Sequence, residues 1–332
     1  MKGVLHIGMP KCMSTSIQAY LRQAPQVYFA GIGPSQHVKP DMLLAFQRHI
    51  MRTPSQFYDA DAVAEVFAER RREAGEQGAR FFALSDETIP YPFGYGRSDT
   101  SYLERLLRLK AVMPETTDVL MIVRKPDSYL RSAYKYRTVM NGLSCSYEEF
   151  LKRLLLLGDT YMLGTTRYYN YAETARQVFG SVTIIAMEAI EDDEGELLRY
   201  FGVPTAAAPI HGSLPRENSG MPSEKFANFR EVHAPYGGTL SDDGFNVLSP
   251  ADRVVAYATP YYSGVLACVL SKEQTLGTMR NLALKMPDRD KQLCFETSKE
   301  TRDRLTEYVA PSNALLNERY GVDTHEYAYD LF

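Results

Sequence analysis

The sequence has no surplus of positive charge. Its 37 lysines and arginines stand against 41 aspartates and glutamates, for a net charge of -4. A duplex nucleic-acid binder normally carries a basic excess, so nucleic acid is not an expected partner. Cysteine is scarce. Cys12, Cys145, Cys268 and Cys294 are widely spaced and form no Cys-x-x-Cys pair, which argues against a zinc site or a disulfide framework and for reduced thiols. Long apolar runs are missing too, since none approaches the roughly 20 residues of a membrane helix. The apolar stretch at the N-terminus is short and broken by His6 and Pro10, unlike the h-region of a signal peptide. No internal repeat or low-complexity tract stands out. The expectation is a soluble, cytoplasmic protein with no membrane partner.

What is there is ordinary globular composition, 45% hydrophobic and 23% charged over 332 residues. That length buries a sizeable core as one large α/β domain or two modest ones. Gly3 to Ile7 reads as a short buried strand, and Ser14 to Arg22 opens a helix with Ile17, Tyr20 and Leu21 on one face. Helices are expected over Ala62 to Glu76, Tyr102 to Val112, Ser128 to Tyr136, Tyr147 to Leu157, Tyr168 to Phe179 and Glu194 to Phe201. Strands are expected over Arg80 to Ser85, Thr117 to Val123 and Val182 to Met187. Thr117 to Val123 is the strongest of these, because β-branched and apolar residues dominate it. Strands alternating with helices predict an α/β fold whose central, mainly parallel sheet is flanked by helices on both faces. From about Pro204 to 262 the chain is rich in Pro, Gly, Ser and Asn, and Thr297 to Tyr320 closes it as an amphipathic helix or helix pair.

Two segments concentrate chemistry. Pro10-Lys11-Cys12-Met13-Ser14-Thr15-Ser16 lies between the first strand and the first helix. Helix N-termini present unpaired amides and a partial positive charge, so such a loop cradles an oxyanion. Hydroxyls and a mobile lysine strengthen the cradle. The plainer alternative is that Ser14 or Thr15 caps the helix and Lys11 is solvated. A nucleoside-triphosphate loop needs Gly-x-x-x-x-Gly-Lys-[Ser/Thr]. Here the lysine precedes the hydroxyl cluster instead. In the second segment Arg124 ends the strongest strand, and Ser132 comes eight residues later on the next helix. The arginine offers a planar fork to a phosphate, although pairing with Asp127 is the plain alternative.

Together the two segments resemble the sulfotransferases that use 3′-phosphoadenosine 5′-phosphosulfate (PAPS). The first matches the family loop Pro-Lys-[Ser/Thr]-Gly-Thr-Thr. The second matches its 3′-phosphate motif of an apolar strand ending in Arg, then x-Pro, then Ser. The resemblance implies a P-loop-like sulfotransferase fold and PAPS as co-substrate, with PAP as product and no metal. It implies that Lys11 contacts the leaving phosphate and that Cys12, Met13, Ser14, Thr15 and Ser16 line the loop. It further implies that Arg124 and Ser132 bind the 3′-phosphate, and that Arg216 and Asn218 belong to a covering loop. Cys12 and Met13 depart from the family, which favours a hydroxyl residue and a glycine there. A positive φ at Met13 carries a strain cost.

Family members take a His or Glu after the second strand as base. That place is held by Glu87, with Asp86 in reserve, and His211 and His233 remain alternatives. A carboxylate that only caps the next turn is the plain reading. His6, inside the first strand, reads as a core histidine. The looser segment Ala310 to Leu316 resembles the family's C-terminal helix. One catalytic domain over 1–332 is expected: a nucleotide-binding core over 1–203, a substrate-covering region over 204–300 and a helical segment over 301–332. With many tyrosines and no basic run in 225–300, the expected partner is a small-molecule acceptor, hydroxylated or cationic. A homodimer is compatible with all of this. A P-loop-like nucleotide kinase, a glycan-directed sulfotransferase and a non-catalytic anion-binding module are the competing readings.

Overall fold

The structure is a computed structural model that describes residues 1–31, 39–90, 100–141, 143, 145–160, 162–193, 195–201, 295–327, 329 and 332. These fall into two compact units. The first comprises Met1–Pro126, Gly164–Glu217 and Tyr308–Leu331, and the second Asp127–Leu163, Asn218–Glu307 and Phe332.

The first unit is built on five parallel strands: β1 (Lys2–His6), β2 (Val27–Phe29), β3 (Phe81–Ser85), β4 (Thr117–Val123) and β5 (Val182–Ala186), in the order β2-β3-β1-β4-β5. Its register sets His6 opposite Ser85 and Leu120 opposite His6. Every residue of β4 is buried, which explains its unbroken apolar sequence, since a central strand of a parallel sheet is covered on both faces. The one carboxylate in that strand, Asp118, is fully bonded. It accepts hydrogen bonds from Ser181 Oγ, Thr183 Oγ1 and Tyr200 Oη. An α/β fold with a parallel sheet flanked by helices is what the alternating pattern predicted.

The helices are α1 (Ser14–Gln23), α2 (Pro40–Leu43), α3 (Ala60–Glu76), α4 (Tyr102–Val112), α5 (Pro126–Asn141), α6 (Tyr147–Leu157), α7 (Tyr168–Phe179), α8 (Met187–Asp192), α9 (Gly195–Tyr200) and α10 (Lys299–Tyr320). Several start where a short polar side chain satisfies an orphan amide. Asp59 accepts from Ala62 N at 3.0 Å, Ser101 from Glu104 N at 3.1 Å and Ser146 from Glu149 N at 3.1 Å. Helix α7 ends at Gly180 with φ 85°, a conformation that glycine adopts without steric cost. The expected elements recur within a few residues. Strand β2, helix α2 with the adjoining π-helical turn Leu44–Ile50, and helix α8 were not expected.

In the second unit α6 packs through an aromatic cluster. Tyr134 lies 5.3 Å from Tyr147 and 5.4 Å from Phe150 between ring centroids, and Phe295 meets Tyr147 edge-on at 5.2 Å. Glu148 also ties α6 to the start of α10 by accepting from Ser298 Oγ and Thr301 Oγ1, both at 2.8 Å.

Candidate functional site

In the sheet order, β1 and β4 are neighbours whose continuations leave in opposite directions, β1 toward β2 and β4 toward β5. Open α/β sheets bind ligands at the carboxyl ends of strands, at such a switch point. The β1 loop and the end of β4 meet there. Ile7 and Met9 continue the β1 ladder by donating to Leu120 O and Ile122 O at 2.9 and 3.2 Å. The chain then turns sharply, with Lys11 at φ 68° and Met13 at φ 57°, the non-glycine residues in the left-handed region among those described. Each such residue costs about 1–3 kcal/mol, and such strain gathers at ligand sites. Met13 is the N-cap of α1 and makes no side-chain capping bond. The N-cap is therefore neither Ser14 nor Thr15, the two residues that the plainer reading named. Met13 thus adopts a conformation that glycine takes without steric cost.

Arg124 reaches across this junction. Its Nη1 donates to Lys11 O at 3.1 Å, and its Nε is buried with no hydrogen-bond partner among the described residues. Asp127, which the plainer reading paired with Arg124, bonds Arg131 at 2.9 Å. The peptide just past Arg124 is held at both polar groups: Tyr168 Oη donates to Arg124 O at 2.7 Å, and Lys125 N donates to Glu188 Oε1 at 2.9 Å. Neither contact was visible in the sequence. Burial pushes the Lys11 ammonium down, with Glu87 drawing it up and Arg124 adding to the depression. Burial likewise pushes the Cys12 thiol up, and Cys12 is fully buried, so it is an inert group of the loop.

The turn after β3 supplies the carboxylates. Ser14 Oγ donates to Glu87 Oε2, joining the β3 turn to the anion loop. Asp86 is buried, and its Oδ1 accepts from Thr88 N at 2.6 Å and Thr88 Oγ1 at 2.5 Å. It thus takes the capping role, while Glu87 is half-buried beside Lys11. Burial raises the Asp86 acid to about 6, with the Thr88 bonds opposing. His6 is a core residue as expected, its Nδ1 2.7 Å from Ser85 Oγ, and burial lowers it to about 3.

The structure therefore brings Lys11, Cys12, Met13, Ser14, Glu87 and Arg124 together in the first unit. Thr15 and Ser16 come next, in the first turn of α1, Ser16 buried and Thr15 half-buried. Ser132 is half-buried on α5 and belongs to the second unit. Arg216, Asn218, His211, His233 and the region 204–294 lie outside the described residues. Among the described residues no group of three or more His, Cys, Asp or Glu is placed to hold a metal, and no helix is long and apolar enough to cross a membrane. A separate cavity of about 330 Å³ runs along β2, lined by Tyr28, Lys39, Arg70 and Glu73 among others. Its charges satisfy one another, since Glu73 bonds Lys39, Arg70 and Tyr28 at 2.6 Å each.

No protein-family model matches the chain, and no curated protein does. Among solved structures the chain is similar to a sulfotransferase from Alicyclobacillus acidocaldarius, at 14% identity and a TM-score of 0.49, over 99% of this chain and 99% of that one.

Proposed function

We propose that this chain is a PAPS-dependent sulfotransferase acting on a hydroxyl or amine of a small-molecule acceptor. The observation that carries the reading is the junction at the switch point. There Arg124 holds the anion loop through Lys11 O, and Glu87, from the neighbouring strand, bonds Ser14. The residues suit a bisphosphorylated nucleotide. A strained loop at a helix N-terminus fits the 5′-phosphosulfate, and an arginine with an unpartnered Nε fits the 3′-phosphate. Ser132, Arg216 and Asn218 are assigned to the 3′-phosphate end on the sequence motif alone.

PAPS supplies an activated sulfuryl group. In the reaction the acceptor oxygen bonds to sulfur, the bond from sulfur to the bridging phosphate oxygen breaks, and PAP departs. Lys11, with the loop amides and the hydroxyl of Thr15, stabilises the charge that grows on the departing phosphate, while the Ser14 hydroxyl donates to Glu87. Glu87 takes the acceptor's proton. The bond from Ser14 to Glu87, and the electrostatic pull of Glu87 on Lys11, support this role. A nucleotide kinase is disfavoured because the lysine precedes the hydroxyl cluster. Lys11→Ala removes turnover in this account. Glu87→Gln keeps PAP binding and loses transfer by about 10²- to 10⁴-fold, the usual contribution of a positioned base. Assays of PAP binding and sulfate transfer check both variants. Undiminished transfer by Glu87→Gln would move the base to another residue.

A further inference from the structure

The peptide between Arg124 and Lys125 lies beyond the end of β4 at Val123 and ahead of α5, which starts at Pro126. No strand ladder serves it, so both of its polar groups need partners from elsewhere. Tyr168, buried at the start of α7, gives its hydroxyl to Arg124 O at 2.7 Å. Glu188 on α8 takes the Lys125 N–H on Oε1 at 2.9 Å and the Tyr329 hydroxyl on Oε2 at 2.8 Å. Tyr329 is itself fully buried, its ring 6.4 Å from that of Tyr168, and its carbonyl accepts from Asn313 Nδ2 at 3.0 Å.

We infer that Tyr168, Glu188 and Tyr329 form a clamp on the Arg124–Lys125 peptide, and that this clamp gives the site its discrimination between a 3′-phosphorylated nucleotide and the 3′-hydroxyl analogue. Fixing the C=O and the N–H of one peptide fixes ψ of Arg124 and φ of Lys125. The direction of the Arg124 side chain is set with them. Arg124 then needs only its Nη1 bond to Lys11 O to hold the guanidinium in place. A guanidinium fixed before binding loses less freedom when it meets a phosphate. The three residues are positioning residues, and none is assigned contact with the nucleotide. A carboxylate suits position 188, because its two oxygens each accept a bond. A glutamine offers one acceptor oxygen and must turn its NH₂ toward Lys125 N–H or the Tyr329 hydroxyl.

The inference rests on the assignment of Arg124 to the 3′-phosphate, and the experiment separates the two. Calorimetric titration of adenosine 3′,5′-bisphosphate and of AMP is carried out on wild type, Tyr168→Phe and Glu188→Gln. Tyr168→Phe keeps the buried ring and the charge balance and removes one hydrogen bond. Its affinity for the bisphosphate is expected to fall about fivefold, the scale of one such bond, with AMP affinity changed less than twofold. Glu188→Gln is expected to lower the bisphosphate-to-AMP affinity ratio in the same sense. Equal wild-type affinities for the two nucleotides would overturn the assignment of Arg124, and the clamp with it. A wild type that discriminates, beside variants that keep its ratio or weaken both nucleotides alike, would overturn the clamp alone.

Discussion

Replacing Asp86 by asparagine removes a carboxylate that the fold holds against its preference. Asp86 is 5% exposed, and burial raises its acid from 3.8 to about 6, with the Thr88 bonds and the Arg105 charge pulling the other way. An acid whose pKa is raised by folding binds more protons folded than unfolded between those two values. Stability is therefore lost as pH rises through that window. At about 1.4 kcal/mol per pH unit the gap amounts to roughly 3 kcal/mol. Asparagine keeps an oxygen for the two Thr88 bonds, both accepted by Oδ1 in the native turn. His6 acts in the opposite sense. It is fully buried, and burial lowers it from 6.5 to about 3, so its contribution is complete above the unfolded value and is lost as pH falls toward the folded one. In wild type the contributions of Asp86 and His6 therefore oppose each other between about pH 4 and 6. In Asp86→Asn the His6 slope stands alone, and stability climbs across the same range. Urea unfolding at a series of pH values measures this. The variant matches wild type near pH 4 and exceeds it by about 3 kcal/mol near pH 8, and with Glu87 as base it retains transfer. A stability difference that does not grow with pH would refute the reasoning.

The anion loop gives two further outcomes. With Met13 at φ 57°, Met13→Ile lowers stability by about 1–2 kcal/mol more than Met13→Gly does, because a β-branched side chain is the worst suited to that conformation; thermal melts of the two variants check the order. With Cys12 fully buried and its thiol pushed up by burial, the Cys12 peptide stays unlabelled by maleimide in the native protein and labels once it is unfolded in urea, as read by mass spectrometry.

Strand β4 and helices α4, α6 and α7 coincide with their expected bounds. A fully buried strand reads as an unbroken apolar run, and Ser101 and Ser146 announce their helices as caps. Strand β2 escaped because it is three residues long and only half-buried at the sheet's edge. Helix α8 escaped because it begins directly at the end of β5, with no capping side chain between them. Lys11, Glu87 and Arg124 were legible for one reason: each lies just past an apolar strand, and parallel strands all deliver their C-terminal loops to the same end of the sheet. The positive φ of Lys11 was not legible, since only the closed loop imposes it. Nor were Tyr168, Glu188 and Tyr329. Their bonds to the Arg124–Lys125 peptide and to one another join segments brought together by the sheet order and the return of the C-terminal helix, and no local pattern records that.

The central claim is that the β1 and β4 ends bind a 3′-phosphorylated nucleotide. A thermal-shift titration with PAP, ATP and GTP tests it most directly. Ligand at about a hundred times its Kd adds roughly 2.7 kcal/mol of stability, so PAP is predicted to raise the melting temperature saturably while ATP and GTP leave it nearly unchanged. Stabilisation by ATP with none by PAP would contradict the account.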